Sequence, residues 1–129
     1  MNPKAYVIIG GFFHLSWAIF HIFFPKFFKW ESALKTIGLY NRSLMHIQSI
    51  FLLITFLIFS GAAFLFTNEM VETRLGNYLI ASFALFWFLR SIVNLYFFGI
   101  KDKKADFFLI IFIAGFIIHL IPLIMIYHI

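Results

Sequence analysis

Ionisable and strongly polar side chains occur inside long apolar segments of this sequence, where they are costly. The set comprises His14, His21, His46, His119, Arg90 and Asn94, and none of the four segments that contain them includes an Asp or a Glu. Because lipid penalises exposed polar groups, we expect these side chains to face one another inside a helical bundle. The sequence therefore predicts an interior site built from histidine and arginine.

Two of these histidines could ligate a haem iron. His21 and His46 are expected at matched depth near one end of their helices, which would allow both imidazoles to bind one b-type haem. Arg90, Arg42 and Lys26 could then meet the haem propionates. The same pair could instead hold a zinc or copper ion, although two histidines alone make an incomplete set of ligands.

His14 and His119 form a second possible pair of metal ligands. His14 and His21 are separated by only about 10 Å along their helix, so two macrocycles would crowd each other. A single histidine in a transmembrane helix also commonly serves as a hydrogen-bonding group between helices. We therefore favour His21 and His46 as the ligands.

Arg90 supports a second hypothesis, which needs no cofactor. A guanidinium inside a bundle needs acceptors, and no carboxylate of the spans can supply them. Together with Asn94, one turn away, Arg90 could receive the carboxylate or phosphate of an anionic or lipid-like ligand, for binding or for transport. A third hypothesis is a structural or accessory membrane subunit, in which Arg90 extends to the head groups and the polar contacts only fix helix register.

The composition excludes several other chemistries. The chain has no cysteine, so thiolate metal sites and cysteine nucleophiles are ruled out. It has no lysine within a span to form a retinal Schiff base and no recognisable Ser-His-acid set, and no enzymatic reaction is assigned. The net charge of +5 comes from basic residues that flank apolar segments, so we expect contact with lipid head groups and none with nucleic acid.

The apolar segments themselves predict an integral membrane protein. Hydrophobic residues make up 64% of the chain and charged residues 12%, which lies well outside the composition of soluble domains. A spanning helix needs about 20 apolar residues, and residues 6–24, 43–66, 75–100 and 107–129 qualify. We expect one all-α domain over residues 1–129, an antiparallel bundle of four transmembrane helices, alone in the bilayer, as a homo-oligomer or within a larger membrane complex.

The distribution of basic residues predicts the orientation of the bundle. Most of them lie in two loops, residues 25–42 and 101–106: Lys26, Lys29, Lys35, Arg42, Lys101, Lys103 and Lys104. The positive-inside rule places both loops in the cytoplasm and both termini on the opposite side.

The first of these loops also has an amphipathic pattern. Apolar residues at helical spacing lie opposite polar ones, as Phe27, Trp30, Leu34 and Ile37 against Lys29, Ser32 and Lys35. The pattern predicts a short helix on the membrane surface that ends near Gly38, and its simplest role is an interfacial anchor.

Overall fold

The computed structural model describes residues 2–128, and the regular structure in this range is entirely helical. The helices are α1 (Pro3–Ile22), α2 (Phe24–Phe27), α3 (Trp30–Ala33), α4 (Leu39–Leu65), α5 (Thr67–Glu72), α6 (Arg74–Phe98) and α7 (Lys103–Tyr127).

Four of these helices, α1, α4, α6 and α7, are long and apolar enough to cross a membrane. They contain 20, 27, 25 and 25 residues, against the requirement of about 20. The number and order of the long apolar helices are confirmed, and each helix begins and ends slightly earlier than predicted. The starts of α6 and α7 are set by capping side chains, which hydropathy does not register. Membrane insertion and the sidedness of the loops stay predictions.

The described chain divides into two compact units. One comprises the residues up to Gly10 together with those from Ala62 onwards, and the other comprises Gly11–Gly61. The prediction of a single domain is not tested by this division.

The first unit is organised around α6, which packs against both α5 and α7. Its start is capped by Thr73, whose Oγ1 accepts a hydrogen bond from the Gly76 amide at 2.9 Å. A Cβ at Gly76 would overlap the backbone of Glu69 and Met70, so glycine is required where α5 approaches α6. Asp102 caps α7 in the same way, because its Oδ1 accepts from the Ala105 amide at 2.8 Å.

The buried side chains of α6 form one stripe at a spacing of three and four residues. They are Gly76, Ile80, Phe83, Ala84, Trp87, Ser91 and Asn94. Two ring contacts join this stripe to α7, because Trp87 stacks on Phe112 and Phe83 meets His119 edge-on. Of the two polar side chains of α6 that we expected to face the interior, Asn94 belongs to this stripe and Arg90 does not.

The second unit contains the loop between α1 and α4, which is not the single surface helix that we predicted. α2 and α3 are single helical turns, separated at Lys29, whose φ of 53° and ψ of 49° are left-handed. A residue in this conformation breaks the helical run. The amphipathic division is present in part, because Trp30 and Leu34 are buried and the lysines are exposed, whereas Phe27 of the predicted apolar face is exposed.

Candidate functional site

His21 is buried near the end of α1, as predicted. Its Nδ1 lies 2.8 Å from the carbonyl oxygen of Trp17, and a carbonyl can only accept, so Nδ1 is the donor in this bond. The imidazole stacks on the ring of Phe24, with 4.4 Å between centroids and 10° between planes. Metal-bound histidines commonly donate one ring nitrogen to a carbonyl and ligate through the other, and the His21 bond is of this type.

His46 is exposed on α4, so our expectation that it faces the interior is wrong. Its ring lies edge-on to Trp30 at a centroid distance of 5.0 Å. Trp30 in turn contacts Phe24 at 5.9 Å. Phe24 and Trp30 thus connect the two predicted ligands, His21 and His46, through a continuous series of ring contacts. Haem or metal binding at this pair is not supported by a ligand cluster, because no three His, Cys, Asp or Glu side chains of residues 2–128 are grouped to hold a metal ion.

A basic cavity of about 660 Å³ lies beside His46 in the second unit. It is lined by Pro25, Lys26, Lys29, Trp30, Glu31, Ser32, Lys35 and His46. Three lysines thus surround it together with a single carboxylate. Of the residues predicted for a site, the structure brings Lys26 and His46 together here.

The lysines of this cavity are available to an external anion. Lys26, Lys29 and Lys35 are all exposed, and none of them forms an ion pair within the described part of the chain. Lys29 precedes α3 and Lys35 follows it, and both line the cavity. Within α3, Glu31 is exposed and Trp30 is buried. From the sequence, we assigned Lys26 to haem propionates and Lys29 and Lys35 to the polar face of a surface helix. We did not predict that the three line one cavity, because the cavity depends on the two short turns of the loop.

Arg42, predicted to meet an anionic group, lies in the first turn of α4 and is half-buried. Its amide donates to the carbonyl oxygen of Gly38 at 3.0 Å, which continues the helix backward into the loop. It is not among the residues that line the basic cavity.

Asn94 is almost fully buried in the first unit, and its amide group is used within the fold. Nδ2 donates to the carbonyl oxygen of Ala105 at 3.2 Å, which ties the end of α6 to the start of α7. A buried amide in such a bond stabilises helix pairing. This hydrogen bond is sufficient to explain why Asn94 is buried, without a bound ligand.

Arg90 is exposed, and our expectation that it faces the interior is wrong. The buried stripe of α6 passes from Trp87 to Ser91 and Asn94, so Ser91 occupies the face that we assigned to Arg90. The guanidinium Cζ instead lies 4.5 Å from the ring centroid of Phe112, in a cation–π contact. Arg90 therefore belongs to the outer surface of the α6 and α7 pair.

His14 is fully buried among aromatic rings of the second unit. It stacks on Phe56 with 5.9 Å between centroids and meets Phe59 edge-on at 5.2 Å. These contacts make it a packing residue of α1 and α4.

His119 is buried in the first unit, and its Nδ1 donates to the carbonyl oxygen of Gly115 at 2.7 Å. Phe83 packs edge-on against the ring at 5.7 Å. On another side the imidazole touches Gly10, where an added Cβ would lie 2.7 Å from Nε2. The ring thus fills a close contact between helices.

The chain matches no protein-family model, no curated protein and no solved structure. Any functional conclusion therefore depends on the side chains described above.

Proposed function

We propose that the protein binds an anionic lipid head group in the basic cavity between α1 and α4. The observation that carries the proposal is the cavity itself, in which Lys26, Lys29 and Lys35 surround one opening beside His46. Three exposed cations with a single nearby carboxylate attract a phosphate-bearing group. This is the anionic or lipid-like ligand of the second sequence hypothesis, received at the loop instead of at Arg90.

The surroundings of the cavity favour a lipid over a free anion. The loop joins two helices that are each able to cross a membrane, so it is expected to lie at the level of the head groups. Apolar side chains beside the lysines are exposed, among them Ile22, Phe23 and Phe27. Such residues enter the acyl boundary while neighbouring lysines contact phosphates, a common arrangement of interfacial segments.

The proposal is tested with the full-length protein purified in a neutral detergent. We expect short-chain phosphatidylglycerol to raise the midpoint of thermal unfolding, and phosphatidylcholine of equal chain length to raise it much less, because only the former has a net negative charge. Inorganic phosphate is titrated in parallel. A response to phosphate equal to that of the lipid would identify a free-anion site instead.

Matched lysine variants assign the effect to the cavity. Lys26→Gln with Lys35→Gln should weaken the phosphatidylglycerol response about thirtyfold in concentration, since basic residues near a membrane surface contribute about 1 kcal/mol each. The control, Lys101→Gln with Lys103→Gln, removes the same charge from the other basic loop and should respond like the unaltered protein. Equal weakening in both pairs would contradict a defined site and indicate only net charge.

A haem or metal ion at His21 and His46 is a second candidate function. It is favoured by the hydrogen bond from His21 Nδ1 to Trp17, which orients the ring as in metal-bound histidines. A metal at this point would depend on the two imidazoles and on further ligands from outside the chain.

A further inference from the structure

An apolar groove of about 650 Å³ runs along the outer face of α6, separate from the basic cavity. Its lining residues are Phe86, Leu89, Arg90, Val93, Phe97 and Phe98. All of them except Phe86 are exposed, which leaves a row of large apolar side chains with one guanidinium among them.

The charge of Arg90 is not neutralised within the fold. The contact that the structure gives its guanidinium is the ring of Phe112, and Arg90 forms no ion pair with any residue of the described range 2–128. The acidic residues of the chain lie in loops, in α5 or in the first turns of helices: Glu31, Glu69, Glu72, Asp102 and Asp106. A cation within an apolar helix is stabilised by an acidic group, by backbone carbonyls or by reaching the head groups, and the acidic group is the one that a partner helix can supply through a side chain.

The position of Arg90 in the groove distinguishes between kinds of partner. Phe86 and Leu89 line the groove on one side of it, and Val93, Phe97 and Phe98 line it on the other, over about 18 Å of helix. A phospholipid or fatty acid has its anionic group at one end of its apolar part. A transmembrane helix can present a carboxylate with apolar side chains on both sides, and that distribution complements the groove.

We propose that this face of α6 binds a transmembrane helix of a different protein that has one Asp or Glu within its apolar segment. The carboxylate pairs with Arg90, and apolar side chains above and below it pack on the lining phenylalanines. The partner belongs to another chain because no span of this protein contains an acidic residue in its hydrophobic interior. This surface is not part of the basic cavity, and binding of a helix here does not depend on the proposed lipid-binding function.

The experiment measures binding of a synthetic transmembrane peptide to the full-length protein in phosphatidylcholine vesicles. The peptide is a helix of about 20 Leu and Ala residues with one central Glu, compared with peptides that have Gln or Leu at that position. A donor fluorophore is attached to a single Asn68→Cys, which is exposed in α5. Energy transfer to an acceptor on the peptide is recorded at a pH that ionises its Glu.

We expect the Glu peptide to bind about tenfold more tightly than the Leu peptide, since one polar contact between membrane helices contributes about 1–2 kcal/mol in peptide systems. Arg90→Gln should abolish this preference, and Arg90→Lys should retain part of it. Arg74→Gln removes the same charge from the exposed start of α6, outside the groove, and should leave the preference unchanged. Since Arg90 is exposed, Arg90→Gln is also expected to unfold at the same temperature as the unaltered protein without peptide.

Several results would overturn the proposal. Equal binding of the Glu and Leu peptides, or a preference that survives Arg90→Gln, would remove Arg90 as the recognition group. Arg90-dependent energy transfer between labelled copies of this chain would make a second copy the occupant. Loss of Glu-peptide binding when phosphatidylglycerol replaces part of the phosphatidylcholine would make an anionic lipid the occupant.

Discussion

The buried imidazoles of His21 and His119 share one hydrogen-bonding arrangement. In each, Nδ1 donates to the carbonyl oxygen of the residue four positions earlier, at 2.8 and 2.7 Å. This bond satisfies a polar group that would be costly inside lipid, and it fixes the orientation of the ring. The same bond suits metal ligation, so the histidines alone do not distinguish a structural role from a cofactor site.

An absorption spectrum makes that distinction for His21. If the protein binds b-type haem, His21→Ala and His46→Ala should each abolish the Soret band and the stoichiometric iron while the bundle stays folded, because each removes one axial ligand. Oxidised and dithionite-reduced spectra are recorded on protein from haem-replete cells, with metals quantified on the same sample. His128→Ala, exposed just beyond α7, is the control.

Two outcomes would contradict the haem hypothesis. A colourless, metal-free protein would show that no haem or metal is bound. A normal haem spectrum in both histidine variants would show that His21 and His46 are not the ligands.

At the scale of the helices, a close approach that depends on residue type joins α1 and α7. His119 is held by Gly115 and Phe83, and its Nε2 touches the position where Gly10 lacks a side chain. Small residues allow transmembrane helices to approach in this way. A histidine on one helix and a glycine on the other thus form one packing contact.

Gly10→Ala should therefore destabilise the protein. The new Cβ would lie 2.7 Å from His119 Nε2, and the ring cannot rotate away without losing its bond to Gly115. Overpacking of this kind costs about 1–3 kcal/mol, which thermal unfolding in detergent would detect.

Gly61→Ala in α4 is the matched control for this prediction. A Cβ there meets nothing within 4 Å, so a helical alanine should be neutral or stabilise by about 0.5–1 kcal/mol. Adding His119→Ala to Gly10→Ala should restore part of the loss. Equal unfolding temperatures for Gly10→Ala and Gly61→Ala would show that α1 and α7 are not in tight contact at this point.

In the loop between α1 and α4, the backbone conformation of one residue divides the predicted helix into two turns. Its apolar and basic residues are spaced for one amphipathic helix, but Lys29 adopts a left-handed conformation and divides the segment into two turns. The lysines consequently surround a cavity together with His46 on α4. A continuous helix would have displayed the same lysines along an open face.

For the molecule as a whole, the predicted orientation can be tested directly because the chain has no cysteine. Thr36→Cys, Ile100→Cys and Asn68→Cys introduce one thiol each at exposed positions without a change of charge. A membrane-impermeant maleimide should label Asn68→Cys in intact cells. It should label Thr36→Cys and Ile100→Cys only after permeabilisation, since the basic loops are expected in the cytoplasm. The opposite pattern would reverse the topology, and labelling of all three in intact cells would contradict insertion.

The sequence alone determined the four long helices and their order. The length of an apolar segment and the positions of Lys and Arg around it are properties of the linear sequence, so they can be determined without knowing which helices pack together. The buried stripe of α6 was also largely predictable, because Gly76, Ile80, Phe83, Trp87 and Asn94 repeat at helical spacing. Lys26 and His46, which the sequence offered for a haem or metal site, both line the basic cavity, and their binding of any ligand stays a prediction.

The tertiary structure decided which polar groups are buried and which are exposed. A step of three residues from Trp87 reaches Arg90 and a step of four reaches Ser91, and both are compatible with one helical face. In the folded protein Ser91 is buried and Arg90 is exposed. The left-handed turn at Lys29 likewise gathers the lysines of the basic cavity. Such choices depend on contacts between residues distant in sequence, and a periodic pattern along one helix does not contain them.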